Sequence, residues 1–249
     1  MAEAAPTYTV RAGWVLPTWT EVHSKYTWLQ LAGAFRWDEL AAGEVDGSDV
    51  LAIQIRRTLA DLFDPLQLGR AEIKLLNDTG QYSPDNTMSP YSLQINQVIS
   101  IKAITANNSV YGLFSGLTDG FELDSQIGRR FTVARASDIS RFLRSTVTTS
   151  LFVDTKMASL TNAVMSEVAL GPNRFRISSS MSDTVPFAFL NNIPAATALD
   201  QILKTGAHFS FVDGSGNLQV KDRNFEIFLT TQNSYVNDAY TTKYSLDDR

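Results

Sequence analysis

The chain has no cysteine and only two histidines, His23 and His208, far apart in its 249 residues. Without thiols there is no disulfide framework, no thiolate metal site and no cysteine nucleophile. Two isolated histidines with no close carboxylate pattern read as structural or solvent-facing rather than as a metal pair, so no metal and no cofactor are expected. Cationic clusters are scarce as well. Lys and Arg number 21 against 26 Asp and Glu, for a net charge of -5, whereas nucleic-acid wrapping depends on clustered Lys and Arg. No run approaches the roughly 20 apolar residues of a membrane span, and Met1 to Thr9 lacks a basic start followed by an apolar stretch. Neither stable membrane insertion nor export by a standard signal is expected. Nucleophile motifs are missing too: Ser115-Gly116 and Ser178-Ser179-Ser180 lie outside any G-x-S-x-G elbow.

What is present is a hydrophobic content of 44%, enough for a sizeable core, and a strand-like first half. The clearest segment runs from Gly69 to Pro90. Ala71, Ile73 and Leu75 alternate with Glu72 and Lys74, the period of a half-buried strand. Asn77-Asp78-Thr79-Gly80 then supplies residues that tolerate positive φ, and Pro84 and Pro90 oppose an immediate return to a ladder. That strand is expected at Arg70 to Leu76, and further strands at Tyr26 to Leu31, Ala34 to Leu40, Val50 to Arg57, Gln97 to Thr105, Val110 to Leu123 and Arg130 to Arg135. Asn107-Asn108 suits a hairpin turn, and Gly116 and Gly120 suit a bend or bulge.

After residue 135 the period changes. Ser137-Asp138 caps a short helix at Ile139 to Leu143, a second helix is expected over Lys156 to Leu170 before Gly171-Pro172, and a third opens at Pro194 and stops at Gly206. Phe209 to Val220 reads as a hairpin around Asp213-Gly-Ser-Gly-Asn217; its alternating oxygens resemble a calcium loop, but the downstream acidic ligand is missing and the turn is preferred. The fold class is therefore mainly β with inserted helices (α+β), of sandwich or barrel type. The divisions are an N-terminal arm at 1–33, a first β unit at 34–135, a helix-and-hairpin unit at 136–224 and an extended segment at 225–249.

All four tryptophans fall within the first 37 residues. Trp28 and Trp37 sit in alternating segments and read as packing residues, whereas Trp14 and Trp19 flank Pro17 in an irregular arm and suit contact with another subunit. Two further contact regions are expected, the turn Asn77 to Tyr82 (Asn77, Asp78 and Tyr82) and the aromatic segment Tyr235, Tyr240 and Tyr244. The basic pairs Arg56-Arg57 and Arg129-Arg130 stand at strand boundaries and suit inter-subunit ion pairs. The carboxylate pairs Asp38-Glu39, Asp119 with Glu122, and Asp247-Asp248 leave a glycosidic hydrolase as an alternative, though surface solvation is the commoner role.

Taken in order, these pieces resemble the hub family of bacteriophage tails, which closes the tail tube at its tip. Trp37-Asp38-Glu39-Leu40 followed by Val50 to Arg57 is similar to the family's opening strand pair, and Gly69 to Pro84 to its signature strand and turn. Leu113-Phe114-Ser115-Gly116 looks like the strand that usually reads F-x-G-x-I/V, while Ala195 to Gly206 and Phe209 to Asn224 resemble its helix and hairpin. The resemblance covers most of residues 35 to 224 and implies a β-barrel hub fold shared with contractile-tail hubs and the type VI secretion spike. It further implies a homotrimer with two barrel-like domains per chain. The ring would join the distal tail or tail tube protein to tip or fibre proteins, with tape measure protein and DNA passing through its lumen. The implied place is the virion tail tip, assembled in the host cytoplasm, and the implied role is structural, not enzymatic. Relatives continue past the position of Arg249 into returning strands, so either a separate chain completes the second barrel or the hub is a minimal one. A tail-associated cell-wall hydrolase and a receptor- or carbohydrate-binding module are the other readings.

Overall fold

The computed structural model describes residues 6–15, 42–57, 68–126, 129–168, 170, 174–178 and 181–222. Within these, the alternating segments pair into one antiparallel sheet. In chain order its strands are β1 (Thr7–Ala12), β2 (Gly43–Glu44), β3 (Val50–Arg56), β4 (Arg70–Leu76), β5 (Val98–Ile104), β6 (Val110–Gln126) and β7 (Arg129–Asp138). Side by side they run β2-β1-β5-β6-β7-β4-β3. Alternation decides which face is covered: Ala71, Ile73 and Leu75 of β4 and Ile99 and Ile101 of β5 are buried, and Arg70 and Glu72 point out. Each of the Ile and Leu side chains contributes roughly 1.5–3 kcal/mol when fully covered. Val10, Trp14, Tyr82 and Phe114 complete this first core.

Expected strands at Val50 to Arg57, Arg70 to Leu76, Gln97 to Thr105, Val110 to Leu123 and Arg130 to Arg135 form close to those bounds. Those at Tyr26 to Leu31 and Ala34 to Leu40 lie outside the described residues. The arm is corrected at Thr7–Ala12, which is a regular strand paired with β5 along its whole length. Asn108 takes φ 62° in the β5–β6 turn, as an Asn can. A register shift between Thr118 and Gly120 makes a bulge at Asp119, and a Cβ on Gly116 would overlap the carbonyl of Ser137 on the neighbouring strand.

The expected barrel is not closed among the described residues, because β2 and β3 end the strand order on opposite sides. Instead β1 and β3 line a common open cleft of about 1070 Å³, which includes Pro6, Tyr8, Leu51 and Gln54. The sheet curls far enough to bring β1 and β3 to one cavity, and no described strand pairs across it.

From Ile139 onward the side chains fill a second core. A 3-10 helix (Ile139–Arg144) follows β7, with Asp138 capping it through the N–H of Ser140 at 3.0 Å. Then come β8 (Thr146–Val147), β9 (Phe152–Lys156), α1 (Met157–Glu167), β10 (Phe175–Ile177), β11 (Thr184–Ala188), β12 (Ile193–Pro194), α2 (Ala195–Thr205), β13 (Phe209–Val212) and β14 (Leu218–Lys221). α1 buries Leu160, Val164 and Met165, and α2 buries Ala198, Leu199, Ile202 and Leu203, the spacing of helical faces. α1 stops sooner than Leu170, since Val168 already has extended backbone. α2 ends at Gly206, whose N–H returns to Leu203 O. The strands here make short ladders: β10-β14-β13, β9 with β11, and β8 with β12.

At the β13–β14 turn the second unit touches β6 backbone to backbone. A Cβ on Gly214, in the β13–β14 turn, would overlap the carbonyl of Gly112 on β6, so glycine is required for this approach. Beside it Arg57 donates from Nη2 to Asp213 O at 3.1 Å and lies over the Phe114 ring.

Candidate assembly interface

The turn after β4 is built inward. The side chain of Asn77 accepts from the Tyr82 N–H at 2.8 Å and donates to Ser83 Oγ and Thr132 Oγ1, each at 2.9 Å. Gly80 takes φ 76°, which lets the chain reverse. Tyr82 is fully buried, stacks on Tyr91 with ring centroids 5.1 Å apart, and donates its hydroxyl to Asp49 Oδ2 at 2.8 Å. Burial first, then the Asp49 carboxylate, pushes this phenol's pKa far upward, so it stays protonated and donating. The expectation that Asn77 and Tyr82 face another subunit is therefore corrected, since both are covered by their own chain. Asp78 is exposed and accepts from the Arg130 N–H at 3.1 Å.

Trp14 is corrected in the same way. Its ring is 1% exposed and meets Phe121 edge-on, with centroids 5.2 Å apart. Trp19, Tyr235, Tyr240 and Tyr244 lie outside the described residues. Of the basic pairs, Arg57 turns inward as above, while Arg56, Arg129 and Arg130 stay exposed or half-exposed.

An outward apolar surface does exist, at a place the sequence did not single out. β9 and β11 make a two-stranded ribbon in which Val153 stands opposite Phe187, with Leu151 and Phe189 one residue beyond the ladder. These four are 61%, 72%, 61% and 59% exposed, respectively. Phe152 and Ala188, one position along, pack instead against the second core. The ladder skips Pro186, which has no N–H, and Asp154 takes φ 45°, so the ribbon twists sharply there. The side chains left outside form a contiguous patch that water covers poorly; burying each is worth on the order of 1–2 kcal/mol. The available signal was the Val185-Pro186-Phe187-Ala188-Phe189 alternation, obscured by the proline.

Of the carboxylates weighed for hydrolysis, Asp119 and Glu122 are engaged in ion pairs. Asp119 Oδ1 lies 3.0 Å from Arg141 Nη1 and accepts from Ser137 Oγ, and Glu122 lies 2.6 Å from Arg135 Nη2. Asp38, Glu39, Asp247 and Asp248 are outside the described residues. Asp213 folds its carboxylate back onto its own hairpin, accepting from the Ser215 and Asn217 N–H groups and from Gln219 Nε2 at 2.7 Å. His208 is buried between Asp183, 3.2 Å from Nε2, and Asp222, 3.6 Å from Nδ1, and so joins three segments around the second core. His23 is outside the described residues. Among the described residues no helix is long and apolar enough to cross a membrane.

No protein-family model matches the sequence, and no curated protein matches it. Solved structures do. The 43 kDa tail protein of prophage MuSo2 from Shewanella oneidensis aligns with a TM-score of 0.56 at 10% identity, over 88% of this chain and 56% of its own. The tail protein from Neisseria meningitidis MC58 aligns with a TM-score of 0.52 at 10% identity, over 86% of this chain and 50% of its own. A type VI secretion component from E. coli aligns more distantly, at TM-score 0.42 and 14% identity over 69% of this chain and 49% of its own. The chain thus spans about half the length of the tail proteins it matches, and it shares their fold.

Proposed function

We propose that this chain is a structural, non-enzymatic subunit of a phage tail tip, forming part of a hub ring. The fold it has in common with tail proteins, over most of its described length, carries this reading. The ring would join the distal tail or tail tube protein to tip or fibre proteins, and its lumen would pass tape measure protein and DNA. A homotrimer of two-unit chains is the expected count. The change of core between Ala136 and Ile139 supports a two-unit chain, in which Val10, Ala12 and Trp14 join the first unit.

The open cleft between β1 and β3 fits a barrel wall finished by a further strand, because unpaired strand edges are satisfied by pairing. The exposed ribbon patch supports burial against a neighbour, and a ring is the closed form of a repeated heterologous contact. A net charge of -5 suits a lumen through which DNA slides without releasing many counterions.

The experiment is electron microscopy of phage particles labelled with antibody against this chain. Label at the tail tip, together with rings in the purified protein, is the expected result. Label elsewhere on the particle, or none, would remove the hub assignment.

A further inference from the structure

We propose that the outer face of the large sheet carries a docking cleft for a carboxylate-bearing segment of a neighbouring protein. The cleft, about 470 Å³, lies where β4 and β7 meet the 3-10 helix. The strands turn their apolar residues inward, so this face is polar by construction, and its charges are unevenly matched. Arg135 takes both Glu72, at 3.6 Å, and Glu122, at 2.6 Å. Arg141 takes Asp119, at 3.0 Å, and donates to Asn96. Those pairs use the carboxylates at hand.

Arg70 and Arg144 line the same cleft and make no ion pair among the described residues. Arg56 stands directly opposite Arg70 in the β3–β4 register, and both are exposed. Like charges set directly across an antiparallel pair repel rather than stabilise. Arg70 and Arg144 are thus left open in the cleft, with Arg56 beside Arg70 across the ladder, and this excess of cations calls for an anion from outside. The planar fork of arginine matches a carboxylate in two parallel hydrogen bonds. Phosphate shares that chemistry, but Glu72 and Asp119 line the same cleft and would repel a continuous phosphate backbone. Discrete side-chain carboxylates can be set between them.

This proposal rests on the reading of the chain as an assembly subunit, but its test needs no tail particle. Purified full-length chain is titrated into fluorescein-labelled hexaglutamate, with hexaglutamine as the uncharged control, and anisotropy is read at low and physiological salt. Binding of hexaglutamate alone, weakening with salt, is expected. Arg70→Gln with Arg144→Gln should weaken it about tenfold or more, as expected for removing charge-assisted bonds. Arg70→Lys should keep part of the binding, which separates lost charge from lost fold, and Arg176→Gln on β10 should leave it unchanged. Equal binding of the two peptides, or an unaltered double variant, would overturn the proposal. So would tighter binding of a short duplex DNA, which would make the cleft a phosphate site. Tail-tip labelling with no hexaglutamate binding would sink this inference and leave the hub reading standing.

Discussion

The turn that follows β4 and the ribbon of β9 and β11 are both short excursions carrying aromatic side chains, yet they face opposite ways. In the turn, Tyr82 is at 0% exposure and Asn77 at 1%, and each is held by hydrogen bonds to residues of its own chain. In the ribbon, Phe187 is 72% exposed and Val153 61%. An aromatic with a hydroxyl can be buried where a carboxylate waits for it, whereas Phe has only area to offer and gains nothing until another surface covers it. The difference separates residues that hold the subunit together from residues available to hold subunits to one another.

Substitutions at the two places should therefore separate stability from association. The largest loss of stability is expected for Tyr82→Ala, which empties a buried ring site, takes one of two donors from Asp49 and removes the stack on Tyr91; about 3–5 kcal/mol is expected from urea denaturation followed by tryptophan fluorescence. Asn77→Ala should come next, at roughly 2–3 kcal/mol, because the buried Tyr82 N–H loses its acceptor and Thr132 loses a donor. A change at either position smaller than that of an exposed control would erase the contrast.

Asp138→Asn should have a smaller effect, and one that depends on pH. Burial, the strongest influence, raises this carboxyl above its ordinary value, against hydrogen bonds from Ser140 and Gly69 and the charge of Arg57. The native state thus binds its proton more tightly than the unfolded chain does. The stabilising contribution of the protonated group is fullest below the ordinary Asp range and falls as pH rises through the raised native value. Asn carries no charge, so denaturation midpoints taken from acid to neutral pH should lose that downward component. Neutral-pH stability should shift by about 1 kcal/mol as the lost Gly69 N–H acceptor offsets the relieved charge. A pH profile unchanged from that of the parent would contradict the assignment.

The smallest effect on stability is expected where the effect on assembly is largest. Phe187→Ser with Val153→Ser should move the denaturation midpoint by no more than about 0.5 kcal/mol, as surface changes do, while sedimentation should show fewer or no oligomers. A double variant that unfolded, or that assembled normally, would end the proposed division of labour.

Much of this was legible in sequence where a short-range period fixes the outcome. Strand β4 appears at its expected bounds because alternation is local, and α2 begins right after Pro194, with its fixed φ, and stops at Gly206, where a Cβ would run into His208 and Met157. The direction of the turn was not legible. Whether Tyr82 points in or out is decided by Asp49, 33 residues earlier, and Thr132, 50 residues later, and no window along the chain contains them together. The ribbon was hidden by Pro186 and by the positive φ of Asp154, which break the very period that marks a strand. Strand β1 was hidden too, because Thr7–Ala12 pairs with β5, whose residues lie some ninety positions downstream.

The contact of Gly112 with Gly214 bears on how the two halves move. Where side chains mediate a joint, rotamers can hop and cushion a displacement, but here one main chain rests directly on another. A push delivered to the hairpin tip is handed to β6 without a compliant layer between them. Any residue larger than glycine at that seat would pry the halves apart as a wedge does, converting a stiff coupling into a loose one while leaving each hydrophobic interior intact.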